Sequence, residues 1–172
     1  MSTKSSVKGR EFFCIPVLDR FLDVEASWEG GYLTGLDLKM RGDKRLNGLE
    51  TGRASSTALR EELIAVLDGA DFRGGIPAMA RGTLFQARVW AALMGVPYGT
   101  IITYSGLAQR LGCGSARAVG QALKANPLPL IIPCHRVVSK DDWPGGYSCG
   151  LEVKRLLLMH ERRNKDEDCG CK

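Results

Sequence analysis

Residues 129–138, with the sequence PLIIPCHRVV, constrain the fold of this chain more than any other stretch. The apolar residues on both sides of Pro133 are of the kind that fill a core, so the segment is predicted to run inwards and to be buried. A proline favours an extended backbone in the residue before it and ends a regular element. Cys134 and His135 are therefore predicted to lie at a bend, with packed neighbours that fix the direction of the sulfur.

A cysteine at such a bend is a candidate nucleophile. The thiolate is the reactive form, and a free cysteine is mostly protonated at neutral pH, so Cys134 needs a base or a cation nearby. His135 and Arg136 follow it directly. Adjacent residues need not face each other, so one arrangement places a water molecule between sulfur and imidazole. The other interpretation is a structural cysteine beside a half-buried histidine.

The segment around Cys134 resembles the active-site motif of the O6-alkylguanine-DNA alkyltransferases, repair proteins that move an alkyl group from a guanine oxygen onto their own cysteine. The motif here is IPCHRVV at residues 132–138. The other stretches that resemble the family are Pro97-Tyr98-Gly99, Thr103-Tyr104, Arg117-Ala118-Val119-Gly120, Asn126-Pro127, Gly146-Tyr147-Ser148 and residues 154–161. The resemblance covers roughly the C-terminal half of the chain, whereas the N-terminal half has no motif that we recognise.

The resemblance implies a relay from Cys134 through water to His135 and Glu161, with the sulfur held as a thiolate on the floor of a pocket. Glu161 would orient His135, which would take the thiol proton. Periodicity also turns Glu161 towards the packed side of the last helix, where a carboxylate is costly unless paired; an exposed Glu at a helix end is the alternative. By resemblance, Asn126 would link a helix to the site, and Tyr104 would donate a hydrogen bond or proton to the departing guanine.

The substrate pocket is also predicted by resemblance. Tyr147 and Ser148 would line it, with backbone groups reading the edge of the base. Cys149 stands where many members have glycine or a bulky aromatic residue, and we expect it near the pocket entrance, where it is also a minor candidate for alkylation. The product would be a thioether that water does not readily hydrolyse, so each molecule would act once, without a cofactor or a metal.

The distribution of charge favours a nucleic acid partner. Residues 81–140 contain seven Lys and Arg and no Asp or Glu, in a chain of formal net charge +5. An acid-free stretch suits a polyanion, because phosphate contacts supply most of the non-specific affinity for nucleic acid. Within it, residues 105–111 and 115–125 are predicted as two short helices joined by a glycine turn, which is typical of a helix-turn-helix.

The second of these helices is the candidate DNA-contacting element, with Ser115 as its expected N-cap. Its polar stripe consists of Arg117, Gln121 and Lys124. Its small residues, which leave the first turns bare enough to enter a groove, are Ala116, Ala118 and Gly120. An ordinary solvated face is the alternative. The resemblance implies that the helix lies in the minor groove of double-stranded DNA, that Arg117 fills the gap left by an extruded nucleotide and that Tyr104 presses on the neighbouring phosphate.

The rest of the chain predicts a small sheet followed by helices. Strands are expected around residues 12–17, 22–28 and 32–39, with a hairpin turn at Glu29-Gly30-Gly31. The remaining predicted elements are a loop at 41–55, helices at 57–69, 85–94 and 151 to 162 or 163, an extended piece at 100–103 and a polar loop at 139–143. Thr83 is the expected N-cap of the helix at 85–94.

These elements predict an α/β (α+β) protein of two parts and a tail. Residues 1–78 are predicted as an N-terminal α/β domain, ribonuclease-H-like by resemblance. Residues 79–165 are predicted as a mostly helical DNA-binding and alkyl-transfer domain, and residues 166–172 as a flexible tail. The chain has neither an apolar run of membrane-spanning length nor a signal peptide, and none of its six cysteines forms a CxxC pair. We therefore expect a monomer, cytoplasmic or, in a eukaryote, nuclear, without a metal site.

The predicted function is direct reversal of DNA damage. The alkyl group of O6-alkylguanine, and less efficiently that of O4-alkylthymine, would pass irreversibly to Cys134. Two alternatives stay open: a helix-turn-helix protein that binds lesions or regulates without transfer, and a Cys-His-Glu hydrolase that turns over. The lesion readers of the family lack the cysteine of this motif, and a hydrolase gives no reason for the acid-free helices.

Overall fold

The N-terminal sheet is a three-stranded antiparallel meander. The computed structural model describes residues 8–41, 54–140 and 145–169. Strands β1 (Lys8–Val17), β2 (Arg20–Glu29) and β3 (Tyr32–Met40) pair in chain order. Gly30 and Gly31 both have positive φ and form the tight turn between β2 and β3, as that turn requires. The three predicted strands and the hairpin are thereby confirmed, with β1 beginning earlier than predicted.

One face of this sheet is covered by helix α1 (Ala54–Leu67), which packs against β1. The alternating apolar positions of the strands face it, as period-two patterning requires, and fully buried members of this core are Ile15, Leu22, Val24, Leu38, Leu59 and Leu63. Arg60 of α1 donates from Nε to the carbonyl of Cys14 at 2.8 Å. The predicted helix is thus present, and the predicted loop at 41–55 lies mostly outside the described residues.

Helix α2 (Leu84–Met94) opens the C-terminal half and is fixed at its start by a capping box. Thr83 Oγ1 accepts from the Gln86 backbone N–H at 3.2 Å, and Gln86 Oε1 accepts from the Thr83 N–H at 2.7 Å. Two of the orphan donors at the helix start are satisfied in this way. The predicted N-cap is therefore confirmed.

Two short helices follow α2, and they pack against it and against each other. Strand β4 (Ile102–Thr103) leads into α3 (Tyr104–Arg110), and a turn leads to α4 (Ala116–Lys124). Ser115 caps α4, since its side chain accepts from the Ala118 N–H at 3.2 Å. Trp90 of α2 donates from its indole nitrogen to the Ala122 carbonyl at 2.9 Å, which ties α4 to the core.

The chain ends on a helix longer than predicted. Strand β5 (Val137–Val138) pairs in parallel with β4, and α5 (Leu151–Cys169) follows. The sequence predicts the end of this helix at 162 or 163 because the apolar periodicity stops there. Polar contacts continue it instead: Asn164 donates to the Tyr98 hydroxyl at 3.2 Å. The helix therefore takes in residues 166–169 of the segment predicted as a tail, and the last three residues lie outside the described part.

The two halves are joined along the free edge of β3. Leu33 exchanges backbone hydrogen bonds with the segment after α1: its N–H donates to Pro77, and its carbonyl accepts from Met79, both at 2.8 Å. Farther along, the Leu36 N–H donates to the Pro127 carbonyl at 2.8 Å. The edge of the sheet is thus satisfied by the segment after α1 and by Pro127 of the C-terminal half rather than left open. No helix of the described residues is long and apolar enough to cross a membrane.

Replacing Thr83 by Ala is expected to lower the free energy of unfolding by about 1 kcal/mol, because the capping box loses its acceptor. Urea unfolding at pH 7 measures the change. Thr83→Ser keeps a hydroxyl in the same place and is the matched control, expected to remain close to wild type. Equal destabilisation by Ala and Ser would contradict a role for the cap.

Candidate active site

The segment that carries the candidate nucleophile folds as two consecutive turns. Leu130, Ile131 and Ile132 are buried as predicted. They do not form an extended inward run, however, because Leu130 adopts a positive φ of 74° and reverses the chain. A non-glycine residue in this region stores about 1–3 kcal/mol of strain and persists only where packing holds it. A 3₁₀ turn, Cys134–Arg136, then leads into β5.

The sulfur of Cys134 is held from one side by an amide. Asn126 lies just beyond the end of α4 and is buried. Its Nδ2 donates to Cys134 Sγ at 3.0 Å and to the Ile132 carbonyl at 2.9 Å, while its Oδ1 accepts from the Leu128 N–H at 3.0 Å. Every polar atom of the Asn126 side chain therefore has a partner, and helix α4 is connected directly to the sulfur.

A buried carboxylate holds the other side of the turn. Glu161 of α5 is 4% exposed. Its oxygens accept from His135 Nε2 at 2.7 Å, from Arg136 Nε and Nη2 at 3.0 to 3.1 Å and from the Gly99 N–H at 3.0 Å. Burial alone would raise the pKa of Glu161, but the hydrogen bonds and charges of His135 and Arg136 lower it to about 2. Glu161 is therefore ionised at neutral pH.

The ionised carboxylate fixes the tautomer of His135. A carboxylate only accepts hydrogen bonds, so Nε2 of His135 must carry the hydrogen. Burial lowers the pKa of His135 although the bond to Glu161 opposes the shift, so the ring is neutral at pH 7 with its lone pair on Nδ1. That atom is buried and has no hydrogen-bond partner among the described residues. His135 is thus arranged to accept a proton at Nδ1.

The sulfur itself rests in a protonated state. Burial raises the pKa of Cys134 to about 12, although the Asn126 hydrogen bond and the positive charge of Lys154 act in the opposite direction. Desolvation therefore opposes the expected thiolate, because the side chain is only 5% exposed and burial outweighs the opposing contacts. Deprotonation must accompany the reaction rather than precede it.

A cavity of about 510 Å³ lies over the sulfur, a volume typical of sites for small organic groups. Its lining residues are Tyr104, Gly120, Leu123, Lys124, Cys134, Gly146, Tyr147 and Ser148. Tyr104 donates from its hydroxyl to the Gly146 carbonyl at 3.2 Å, and burial raises the pKa of Tyr104, so the hydroxyl keeps its proton. The Tyr147 hydroxyl is buried and has no partner among the described residues.

The remaining predicted site residues lie outside this cavity. Arg117 and Gln121 are exposed on the outer face of α4, and Ala116 and Ala118 are half-buried beside them. Arg117 forms no salt bridge within the described residues. Cys149 does not line the cavity and instead lies against the backbone of Leu38 in β3. Its charge nevertheless affects the pKa of Cys134, so Cys149 lies near the site and its position at the pocket entrance stays a prediction.

Two residues at the site were not assigned a role from the sequence. Arg136 is buried and binds the Val96 carbonyl through Nη1 at 2.7 Å in addition to Glu161. Lys154 is fully buried, with Nζ 2.6 Å from the Val137 carbonyl. Its position seven residues before Glu161 could have predicted that Lys154 lies on the same buried face, because residues two turns apart share one face of a helix. Within the described part of the chain, no cluster of three or more metal-binding side chains occurs.

Comparisons with known sequences agree on one family. Residues 84–163 match the family model described as 6-O-methylguanine DNA methyltransferase, DNA binding domain. The methylated-DNA–protein-cysteine methyltransferase of Mycolicibacterium paratuberculosis is 40% identical over 121 residues, which cover 70% of this chain and 73% of the relative. The protein of the same name from Shigella flexneri is 36% identical over 130 residues, covering 75% of this chain and 74% of the relative.

Solved structures extend the similarity to the whole fold. The O6-methylguanine-DNA methyltransferase of Pyrococcus kodakaraensis superimposes with a TM-score of 0.73 at 29% identity, covering 89% of this chain and 99% of the other. Mycobacterium tuberculosis OGT in complex with DNA superimposes with a TM-score of 0.63 at 34% identity, covering 83% and 88%. The mixed α/β architecture with a small antiparallel sheet is therefore shared with these proteins.

Replacing Glu161 by Gln is expected to lower the free energy of unfolding at pH 7 and to remove part of the acid sensitivity of the fold. The folded pKa, about 2, lies below the ordinary value of 4.5, so the carboxylate stabilises the fold above pH 4.5. That contribution, about 3 kcal/mol, is lost as the pH falls towards 2. Urea unfolding at several pH values measures it: the gap between wild type and variant should narrow below pH 4.5.

The matched control is Glu167→Gln on the same helix. Glu167 is exposed and pairs with Arg163 on the surface at 2.9 Å, so stability should change little at any pH. A gap between wild type and Glu161→Gln that stayed constant from pH 7 to 3 would contradict an ionised Glu161.

Proposed function

The chain belongs to the O6-methylguanine-DNA methyltransferase family, and we propose that Cys134 is the residue that accepts the alkyl group. It is a direct-reversal DNA repair protein, a methylated-DNA–protein-cysteine methyltransferase. One observation carries the residue assignment: Cys134 and Gly120 of α4 border the same cavity. A base turned out of DNA beside α4 would therefore enter the cavity that holds the sulfur.

The proposed step is a displacement at the alkyl carbon. A bond forms between Cys134 Sγ and the carbon while the bond from carbon to the guanine O6 breaks. The thiol proton passes to Nδ1 of His135, through a water molecule, and Glu161 stabilises the imidazolium that forms. The guanine leaves as an anion and takes up a proton from solvent, with the Tyr104 hydroxyl as the proposed hydrogen-bond donor, and the His135 imidazolium returns its proton to solvent. The thioether has no route back to a thiol, so one molecule repairs one O6-alkylguanine, or less efficiently one O4-alkylthymine.

Reaching the substrate requires nucleotide flipping, because the guanine O6 atom lies within the base stack of a duplex. We propose that α3 and α4 act as a helix-turn-helix and that α4 enters the minor groove. The exposed stripe of Arg117, Gln121 and Lys124 supports this, since these side chains are available to DNA. Arg117 would occupy the space vacated by the nucleotide. Tyr104 would press on the neighbouring phosphate. The first residues of α4 would face the DNA backbone; these are Ser115, Ala116 and Ala118.

The division of the chain is part of the same proposal. Residues 79–165 would form the DNA-binding and transfer unit, and residues 1–78 a ribonuclease-H-like unit that supports it through the edge of β3. We propose that the protein acts as a monomer, in the compartment that holds its DNA: the cytoplasm, or the nucleus in a eukaryote. Tyr147 and Ser148 would enclose the base, and Cys149 would support that wall from the side of the sheet.

Mixing the protein with a duplex that carries one O6-methylguanine is expected to add one methyl group to Cys134 and to remove one lesion per protein molecule. Intact-mass and peptide-mass analysis measure both quantities. The Cys134→Ala variant should gain no methyl group. Cys149→Ala is the matched control, because it removes another half-buried thiol near the site, and it should still gain the methyl group.

Other results would point to other functions. Repair of many lesions per protein molecule would indicate a hydrolase that turns over. Tight binding to one undamaged sequence without any mass gain would indicate a regulator. A methyl gain that survived Cys134→Ala would rule out Cys134 as the acceptor.

Replacing Arg117 by Ala is expected to slow transfer from duplex DNA by about 10- to 100-fold, which corresponds to a few kcal/mol of flipping energy. Reaction with free O6-methylguanine base should be nearly unchanged, because that substrate needs no extrusion. Single-turnover rates with the two substrates measure the difference. Arg110→Ala removes the same charge from the exposed end of α3 and should weaken DNA binding without slowing the bound complex. Equal losses with duplex and free base in Arg117→Ala would refute the role.

A further inference from the structure

Tyr98 connects three parts of the molecule that meet beside the reactive turn. It lies in the turn before β4, and its hydroxyl donates to the Leu67 carbonyl at the end of α1 at 2.6 Å. The same hydroxyl accepts from Nδ2 of Asn164 in α5 at 3.2 Å. The Arg136 guanidinium lies over the Tyr98 ring, 5.5 Å from its centroid. One side chain therefore contacts the N-terminal half, the last helix and the 3₁₀ turn that begins at Cys134.

The hydroxyl of Tyr98 caps helix α1 from the other half of the chain. The last carbonyls of a helix have no partner inside the helix, so they need a donor from outside it. Burial raises the pKa of Tyr98 to about 12, so the hydroxyl keeps its proton and remains a donor at neutral pH. Gly69 lies so close to the ring that a Cβ there would be 3.4 Å from Cδ1 of Tyr98. The ring is thereby held against the N-terminal half.

Tyr98 reaches the active site through the Arg136 guanidinium. Arg136 donates to both oxygens of Glu161 at 3.0 to 3.1 Å, and one of these oxygens accepts from His135 Nε2 at 2.7 Å. An aromatic face attracts a cation placed over it, so the ring restrains the guanidinium that holds the carboxylate. The N–H of Gly99, the residue after Tyr98, donates to Glu161 at 3.0 Å. Two of the groups that hold this carboxylate thus depend on where Tyr98 lies.

A second polar contact joins the same two helices without reaching the active site. Asp68, the residue after α1, is exposed, and its Oδ1 lies 3.3 Å from Nε2 of His160 in α5. Among the described residues, Asp68 makes no hydrogen bond to Tyr98, Arg136 or Glu161. Loss of the Asp68 contact would weaken the docking of α1 on α5 and leave the guanidinium in place. The chain therefore offers a way to separate docking of the helices from positioning of the carboxylate.

We propose that Tyr98 is a positioning residue for alkyl transfer, an inference that rests on the function proposed above. Its ring holds the Arg136 guanidinium on Glu161, and its hydroxyl fixes the ring to the end of α1. The hydrogen stays on Nε2 of His135 only while the carboxylate stays in place, because the bond made by one ring nitrogen sets the state of the other. Without the Tyr98 ring, Arg136 and Glu161 adopt more than one arrangement, and Nδ1 is less often free to accept the thiol proton.

The test separates the ring of Tyr98 from its hydroxyl. Tyr98→Phe keeps a ring over Arg136 and removes both hydrogen bonds of the hydroxyl. Tyr98→Leu removes the ring and the hydroxyl together, and Tyr98→Met takes its place if Tyr98→Leu does not fold. Asp68→Ala is the matched control, because it loosens the same interface without removing a hydrogen bond of Tyr98 or Arg136. Urea unfolding and binding to undamaged duplex DNA check that each variant is folded.

Single-turnover transfer from a saturating O6-methylguanine duplex is expected to fall about threefold in Tyr98→Phe and about tenfold or more in Tyr98→Leu. Affinity for the duplex should stay at the wild-type value, because Tyr98 is not part of the stripe on α4 that is proposed to contact DNA. Asp68→Ala should transfer at the wild-type rate even though its free energy of unfolding falls.

Nitrogen-15 NMR of the imidazoles at pH 7 measures the positioning directly. The chain has two histidines, and the signals that disappear in His135→Gln belong to His135. Wild type and Asp68→Ala should show His135 in a single form with its hydrogen on Nε2. Tyr98→Leu should show exchange between the two tautomers, an effect that a general loss of stability does not produce.

Four results would overturn the proposal. Two concern Tyr98→Leu: a normal transfer rate, and slow transfer with an unchanged His135 spectrum. The third is a loss in Tyr98→Phe as large as that in Tyr98→Leu, which would leave no role for the ring. The fourth is an equal loss in Asp68→Ala, which would assign the effect to docking of the helices. Failure of the proposed function is distinguishable, because wild type would then gain no methyl group while the spectra of wild type and Tyr98→Leu still differed.

Discussion

The active site depends on one buried carboxylate and on the hydrogen bonds that it accepts. Glu161 accepts hydrogen bonds from His135, from Arg136 and from the Gly99 backbone, and so connects α5, the 3₁₀ turn and the turn before β4. An ion buried to this degree is tolerated only when its oxygens are satisfied. The same bonds orient the imidazole, fix its tautomer and leave Nδ1 as the free basic atom. Stability and chemistry therefore depend on the same few atoms.

The opposite side of the sulfur depends on the sheet. Asn126 reaches the sulfur at 3.0 Å, and the next residue, Pro127, accepts a backbone hydrogen bond from Leu36 of β3 at 2.8 Å. Cys149 lies against Leu38 on the same strand. The N-terminal half, which has no recognisable motif, thus braces both the amide that contacts the sulfur and the loop that forms the cavity wall. It does so mainly through backbone groups, which is why its side chains gave no sign of this role.

The sequence predicted well what local rules determine. The capping residues Thr83 and Ser115, the glycine hairpin and the amphipathic α4 all follow from the pattern within one element. Periodicity alone left the inward direction of Glu161 even with an exposed position at the helix end, and the family resemblance favoured the inward one. What the sequence missed depends on contacts between elements: the reversal at Leu130 and the extra turns of α5. The desolvation of the Cys134 thiol could not be predicted either, since it is a property of the packed site and not of the motif.

The charges of the site explain how a buried neutral thiol can still react. At rest the described cluster contains one anion, Glu161, and two cations, Arg136 and Lys154. The proposed transfer of a proton from Cys134 to His135 would change no net charge, because the imidazolium that forms is held by Glu161. The groups that stabilise the separated charges are therefore already in place: Asn126 donates to the sulfur, and Glu161 accepts from the imidazole.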